Sequence, residues 1–578
     1  MMAGMAHDLL ISGGTVVDGT GAAARLADVV IDDAVVTAVV EPGTAAPATR
    51  EMDATGLLVT PGWVDVHTHF DGQATWDDEL APSAWHGVTT VVMGNCGVGF
   101  APVAPGSEDW LIGLMEGVED IPGSALAEGM SWGWESFPEY LDVLAERQWT
   151  VDVGTQIAHG PVRAYVMGER GARNEPATPE EIAAMRQIVR DAIEAGALGF
   201  SMSRTIAHVA IDGEPVPGTF AAEDEVFGIS AALGDLGKGV VELAPMGAAG
   251  EDITNPIKEV DWMCRLSAQT GRPVTFALIQ VDAGPDLWRE LMDASREAVE
   301  DGAQVWPQVA ARATGLLSGF RTTYCLFDQV PAYAALKAEK LPWEQMKVRV
   351  ADPALRAAIV GWTPDEDTRK RLEDAFAKTY VLGDPPDYEP GYDRSLAGIA
   401  EATGSSPMDV AYDAMLEGDS EGLLYVPILN YSYGNLDQAR EMMLHPRSAL
   451  GLGDGGAHCG VICDASMPTF VLTHWTRDRS RGDTLPIELV VKKQTHDTAR
   501  LYGMVDRGTL EPGMLADVNL IDYDALALLP PEVVADLPAG GTRLVQKARG
   551  YVATVKRGVL TYTDGEQTGE RPGRLIRG

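Results

Sequence analysis

Short apolar runs alternate with longer amphipathic stretches along most of this chain, and the two periods read as strands followed by helices. The apolar runs lie at 57–67, 88–93, 150–156, 197–203, 239–243, 273–280, 304–308, 423–429 and 449–453. Strand–helix alternation of this kind predicts βα units and a parallel sheet. Nine such runs are present. A helix is well marked at 178–195, where Thr178-Pro179-Glu180-Glu181 supplies the start signals and Gly196 the stop. The segment beginning Asp8-Leu9-Leu10-Ile11 alternates like a strand and breaks at Gly13 and Gly14.

Two long connections interrupt the alternation. Residues 106–148 are rich in Trp, Gly and acids, and residues 320–394 are broken by Pro342, Pro353, Pro364 and the Asp384-Pro385-Pro386-Asp387 turn. Connections of that length in a compact domain serve as lids and binding loops or else as peripheral decoration.

Composition narrows the class. A chain of 578 residues with 46% hydrophobic content exceeds the usual single-domain size and can bury a sizeable core. No apolar stretch reaches the ~18 residues of a membrane span, and the N-terminus lacks the basic and apolar regions of a signal peptide. Five cysteines, an odd number in so long a chain, predict free thiols in a cytoplasmic protein. The net charge of −41 makes nucleic acid and anionic membranes poor partners. The acids are scattered, which fits a solvated surface; attraction of a cationic substrate is the alternative.

The most specific chemistry lies where the first run ends in Val66-His67-Thr68-His69-Phe70-Asp71. Imidazoles spaced i, i+2 leave one face of an extended segment, and two neutral imidazoles side by side make half of a first-row metal site. The bland alternative is a pair of satisfied histidines. Cys96 follows the run 88–93 in a Gly94-Asn95-Cys96-Gly97 turn, either as a thiolate ligand or as a small buried hydrophobe. Asp454 follows the run 449–453 and precedes Gly455-Gly456, which permit close approach of backbone and ligand.

The stretch Pro61-Gly62-Trp63-Val64-Asp65-Val66-His67-Thr68-His69 resembles the first barrel strand of the amidohydrolase superfamily. Three segments resemble the N-acyl-D-amino-acid deacylase group more narrowly: Met93-Gly94-Asn95-Cys96-Gly97, Ala158-His159-Gly160-Pro161-Val162-Arg163 and Gly451-Leu452-Gly453-Asp454-Gly455-Gly456-Ala457-His458. The run Asp506-Arg507-Gly508 to Asp517 resembles the return of the chain into the small β domain that flanks such barrels. The likeness implies an α/β fold with a TIM-like (β/α)8 barrel at 57–504 and a small flanking β-sandwich domain built from 1–56 and 505–578. It further implies a lid-like insertion near 320–394, hydrolysis of a C–N amide bond, and a divalent metal, zinc in kind, at one ion per chain. The implied partner is a small acyl-amide substrate, with assembly into a homo-oligomer.

For the site, the resemblance implies Cys96 as the ligand of the tightly held ion and Asp454 as general base and acid. It also implies two metal histidines, one on the fifth strand and one on the sixth. This sequence departs there: the aligned positions are Ala244, in Val240-Val241-Glu242-Leu243-Ala244, and Leu278, in Phe276-Ala277-Leu278. Three readings stay open. The ion moves to a half-site of His67, His69 and Asp454 with help from Cys96 or Glu242; or Glu242, two residues before Ala244 and on the same strand face, substitutes as a carboxylate ligand; or metal chemistry is lost and a scaffold remains. His159, Arg163, Arg204 and His458 are candidates for holding the substrate, the arginines by a guanidinium fork around a carboxylate. The expected substrate is an N-acyl amino acid, with a cyclic or other non-peptidic amide as the alternative.

Overall fold

The computed structural model describes residues 6–299 and 302–578. Eight parallel strands form the barrel: Trp63–Asp65, Val88–Met93, Asp152–Thr155 (continued by Ile157–Ala158), Gly199–Ser203, Val240–Ala244, Val274–Ala277, Val305–Val309 and Ala449–Leu450. Nearly every residue in them is buried, as expected of strands covered by helices outside and packed side chains inside. Closure between the eighth and first strands occurs just past their ends. There the His69 N–H donates to the Gly455 carbonyl at 2.8 Å and the Asp454 N–H to the His67 carbonyl at 3.1 Å. The seam of the barrel is therefore also the place where the His67–His69 pair meets Asp454.

The peripheral member of the nine runs is 423–429. Leu424–Pro427 lies antiparallel to Gly315–Ser318 and Tyr380–Val381, outside the barrel. The run at 57–67 is two strands rather than one. Leu58–Pro61 pairs with Val518–Ile521 in the flanking sheet, and the barrel begins only at Trp63. Gly62 makes the break, because a Cβ there would come within 2.3 Å of the Thr89 side chain. A β-branched or larger residue would force the two layers apart.

Both chain ends build the flanking β-sandwich domain. A nine-stranded sheet carries His7–Val16, Arg25–Asp32, Val35–Val40, Ala48–Asp53 and Leu58–Pro61 from one end, and Val518–Ile521, Tyr551–Lys556, Val559–Thr563 and Glu566–Gln567 from the other. Ile11, Val29, Val59, Val518 and Val555 are buried together in its core. Asp152 clamps this domain to the third barrel strand by accepting from Arg507 at 2.7 Å and lying 2.9 Å from Lys556, all three buried. No helix among the described residues is long and apolar enough to cross a membrane.

The helix Pro179–Ala195 forms as its ends predict. Thr178 and Glu181 make a reciprocal capping box, and Gly196 closes the helix at φ 118°. The second long connection becomes a helical insertion that runs past 394. Pro331–Ala338, Trp343–Val350, Pro353–Val360 and Glu366–Ala377 share a core with Leu396–Thr403 and Pro407–Ser420 around Phe327, Tyr333 and Tyr412. Its base touches the loop after the eighth strand, where the Thr323 N–H donates to the Gly460 carbonyl.

Candidate metal centre

Extended backbone carries His67 and His69 beyond the first strand, and both rings turn the same way. His67 Nε2 lies 3.5 Å from Asp454 Oδ1, and His69 Nε2 lies 3.8 Å from the same oxygen. Cys96 Sγ stands 3.4 Å from His67 Nε2. Among the described residues, one donor atom from each of His67, His69 and Cys96 falls within 4.8 Å of the others. Cys96 reaches this point at φ 55° and Asp454 at φ 47°, both in the left-handed region that such residues rarely occupy. The turn around Cys96 is braced by Asn95, whose amide donates to the Thr68 and Val92 carbonyls.

The back of the cluster is supported as well. His67 Nδ1 lies 3.0 Å from Gln308 Oε1, at the end of the seventh strand. Donation from Nδ1–H to that oxygen leaves the Nε2 lone pair directed at Cys96 and Asp454, the tautomer a metal ligand needs. Glu242 Oε2 accepts from the Cys96 N–H at 3.0 Å, while its Oε1 stands 3.9 Å from His67 Nδ1. This corrects the expectation of Glu242 as a substitute ligand: it sits behind His67, on the side away from Asp454. Ala244 and Leu278 are buried and apolar, so the fifth and sixth strands offer no donor in their place.

Burial dominates the electrostatics. It pushes His67 down to about 4, against the hydrogen bond it donates to Gln308, and holds His69 well below the usual imidazole range. Burial raises the Cys96 thiol, and Glu242 and Glu119 nearby add to the rise. Asp454 is raised to about 6, Asp71 to about 7 and Glu242 to about 8, each chiefly by desolvation. No Lys or Arg pairs with these groups among the described residues. His69 Nδ1, Glu119 Oε1 and Glu242 Oε1 are buried without a hydrogen-bond partner. Two neutral imidazoles, a thiol and a carboxylate around one point, short of positive charge, suit a zinc-type ion.

The remaining candidates separate. His458 lies at the rim, with Nε2 3.8 Å from Glu119 Oε2. His159 Nε2 lies 3.0 Å from Glu225 Oε1, which also accepts from Arg163 Nε at 2.8 Å. Arg163 is only 1% exposed and spends its other donors on the Gly171 and Glu175 carbonyls. Arg204 grips Glu259 through Nε and Nη2 at 2.7 and 3.2 Å and donates to the Ala221 carbonyl. Both arginines therefore depart from the expected role as substrate forks, because acids that follow them in the chain have already closed around them.

Four neighbours escaped the reading of the sequence. Glu119 ends the helix Glu108–Glu119 in the first long connection and brings Oε1 to 3.4 Å from His69 Nδ1. Gln308 had no signal beyond its place at a strand end. Asp71 lay in view, two residues past His69, and accepts from the Gly94 N–H at 3.3 Å. His208 Nδ1 lies 3.0 Å from Ser203 Oγ, near enough to His67 and His458 to be influenced by both.

The model of the amidohydrolase family described as Amidohydro_3 matches residues 50–562. D-aminoacylase of Alcaligenes xylosoxydans xylosoxydans is 26% identical over 571 residues, covering 98% of this chain and 97% of that one. N-acyl-D-aspartate deacylase of the same organism is 34% identical over 194 residues, 34% of this chain and 36% of that protein. The solved structure of N-acyl-D-glutamate deacylase from Bordetella bronchiseptica, complexed with zinc and a phosphonate inhibitor, superposes with a TM-score of 0.64 at 22% identity, covering 99% of this chain and 100% of that one.

Proposed function

Because the chain belongs to the amidohydrolase family, hydrolases acting on C–N bonds other than peptide bonds, we propose that it cleaves the amide of a small N-acyl compound at the point shared by His67, His69, Cys96 and Asp454. The observation that carries this reading is the meeting of three metal-type donors with one raised carboxylate at the barrel's C-terminal mouth, where barrel enzymes keep their chemistry. The half-site reading fits best, since Glu242 faces away and neither Ala244 nor Leu278 can ligate.

A zinc-type ion held by His67, His69, Cys96 and Asp454 would lower the pKa of water and polarise the amide carbonyl. The chain's own residues do the rest. Gln308 fixes the His67 tautomer. Asp454, raised to about 6, takes the proton from the attacking water and returns it to the departing nitrogen. The buried walls around His67 and His69 exclude bulk water and strengthen each polar contact. The acyl-amide class draws support from the relatives named for N-acyl amino acids, whereas the expected arginine forks for an amino-acid carboxylate are already engaged.

The test is metal content and turnover together. The purified protein loaded with zinc should carry about one ion per chain. Asp454→Asn, with His67, His69 and Cys96 still in place as donors, should retain the ion yet lose ~10²–10⁴-fold in kcat. Full activity in that variant would remove Asp454 from the mechanism, and a chain that takes up no ion would end the metal reading.

A further inference from the structure

Glu119 is 2% exposed, yet among the described residues no Lys or Arg pairs with its carboxylate, and Oε1 has no hydrogen-bond partner. Two imidazoles face it instead. Oε1 stands 3.4 Å from His69 Nδ1, and Oε2 stands 3.8 Å from His458 Nε2. His69 Nδ1 is likewise buried and unpartnered, so two orphaned polar atoms lie side by side. Buried polar atoms normally find partners, and this pair stays open beside the candidate metal centre. Asp71 and Glu242, the other buried acids there, each accept a backbone N–H.

From this arrangement we infer that Glu119 is the positioning residue of His69, as Gln308 is of His67. The inference rests on the metal reading above and extends the centre to the first long connection. His69 Nε2 lies 3.8 Å from Asp454 Oδ1, on the side of the cluster, whereas its Nδ1 looks toward Glu119. With Nε2 given over to an ion, the ring proton sits on Nδ1, and Glu119 Oε1 is the acceptor beside it. A small closing movement brings 3.4 Å within the roughly 2.7–3.2 Å of an N–H···O bond.

The backbone holds the carboxylate in that place. Glu119 ends the helix Glu108–Glu119, whose Leu111, Leu114 and Met115 are buried, and the chain turns at Asp120 with φ 50°. The loop that begins at Asp454 is stitched to this turn. The His458 N–H donates to the Glu119 carbonyl, the Cys459 N–H to the Asp120 carbonyl at 3.2 Å, and the Gly460 N–H to Asp120 Oδ2 at 2.9 Å. Local preference opposes an acid here, because a carboxylate at a helix C-terminus meets the negative end of the helix dipole. A helix that served only to cover the barrel would gain nothing from Glu119.

The experiment measures zinc affinity of the full chain and of Glu119→Leu, Glu119→Gln and Glu119→Asp by competition against a chromophoric chelator. Thermal unfolding of each metal-free protein checks folding. Leucine removes the acceptor and should weaken zinc ~10–100-fold. Glutamine keeps the reach without the charge and should recover most of that loss; aspartate keeps the charge without the reach and should not. Cobalt(II) in place of zinc should give the same ligand-field spectrum in Glu119→Leu as in the unaltered chain, since the ligands themselves are unchanged. Should Glu119→Leu fail to fold, the glutamine and aspartate variants decide the matter between them. Unchanged zinc affinity in a folded Glu119→Leu protein overturns the inference. So does an aspartate variant that binds zinc better than the glutamine one, which would reduce Glu119 to its charge, and so does a cobalt spectrum showing a lost ligand. An unaltered chain that takes up no zinc overturns both this inference and the metal reading beneath it, whereas the other failures leave that reading standing.

Discussion

Gln308→Leu isolates the contact that orients His67. The side chain is fully buried, and its Oε1 receives the His67 Nδ1 proton at 3.0 Å. Leucine keeps nearly the same volume, so packing changes little. What disappears is one buried hydrogen bond, with the Nδ1–H left unpartnered. An orphaned buried donor costs about 1–3 kcal/mol, equivalent to roughly 5- to 150-fold in an equilibrium constant. That range agrees with the ~10–100-fold loss of metal affinity expected when the group behind a histidine ligand is removed. Zinc affinity would be read by competition against a chromophoric chelator, with thermal unfolding of the metal-free protein as the check on folding. Gln308→Glu, which keeps an acceptor, should retain most of the affinity. Unchanged zinc affinity in a folded Gln308→Leu protein would refute the claim that this amide sets the ligand tautomer.

Three further outcomes follow from the same geometry. Cys96→Ala should reduce zinc affinity while leaving metal-free unfolding within ~1–2 kcal/mol, since it deletes one donor of the triplet and one small buried group; normal zinc content and rate would reduce Cys96 to packing. Glu225→Leu should destabilise the fold by about 3–5 kcal/mol, because it strands the buried Arg163 and His159 without their shared carboxylate. KM in the molecules that fold should stay the same, and a selective rise in KM would return Arg163 to the substrate. Finally, the metal-free protein should lose stability as pH rises from about 6.5 to 8. Asp71 and Glu242 titrate in the folded state at about 7 and about 8, above their unfolded values of 3.8 and 4.5, so in this window the folded chain holds more protons. The depressed histidines act oppositely, but only between their folded values, about 4 for His67, and the unfolded 6.5. Calorimetry across that window would check the sign, and stability rising with pH would contradict it.

Local chemistry made part of this centre legible in advance. His67 and His69 are two residues apart, so short-range spacing pointed to them, while Asp454 before its two glycines and Cys96 in its glycine turn were singled out through the family resemblance. The arginines show why the rest was hidden. Arg163 and Arg204 read equally as substrate forks or as partners of this chain's acids, because Glu225 and Glu259 lie 62 and 55 residues further on and only folding brings them together. Glu119 was equally silent, since nothing in its helix reveals that the C-terminal end dips to His69.

The linear pattern by itself determined the strand–helix alternation, the helix capped by Thr178 and Gly196, and the absence of histidine at Ala244 and Leu278, because periodicity and residue identity act over a few positions; the barrel was implied by the family resemblance. Tertiary structure alone decided that Leu58–Pro61 belongs to the flanking sheet and Leu424–Pro427 to neither it nor the barrel. It also decided that Glu242 backs the cluster and that Arg163 and Arg204 are taken up by Glu225 and Glu259. Hydrogen bonds and ion pairs between distant segments settle such questions, and their partners are chosen by burial in three dimensions rather than by distance along the chain.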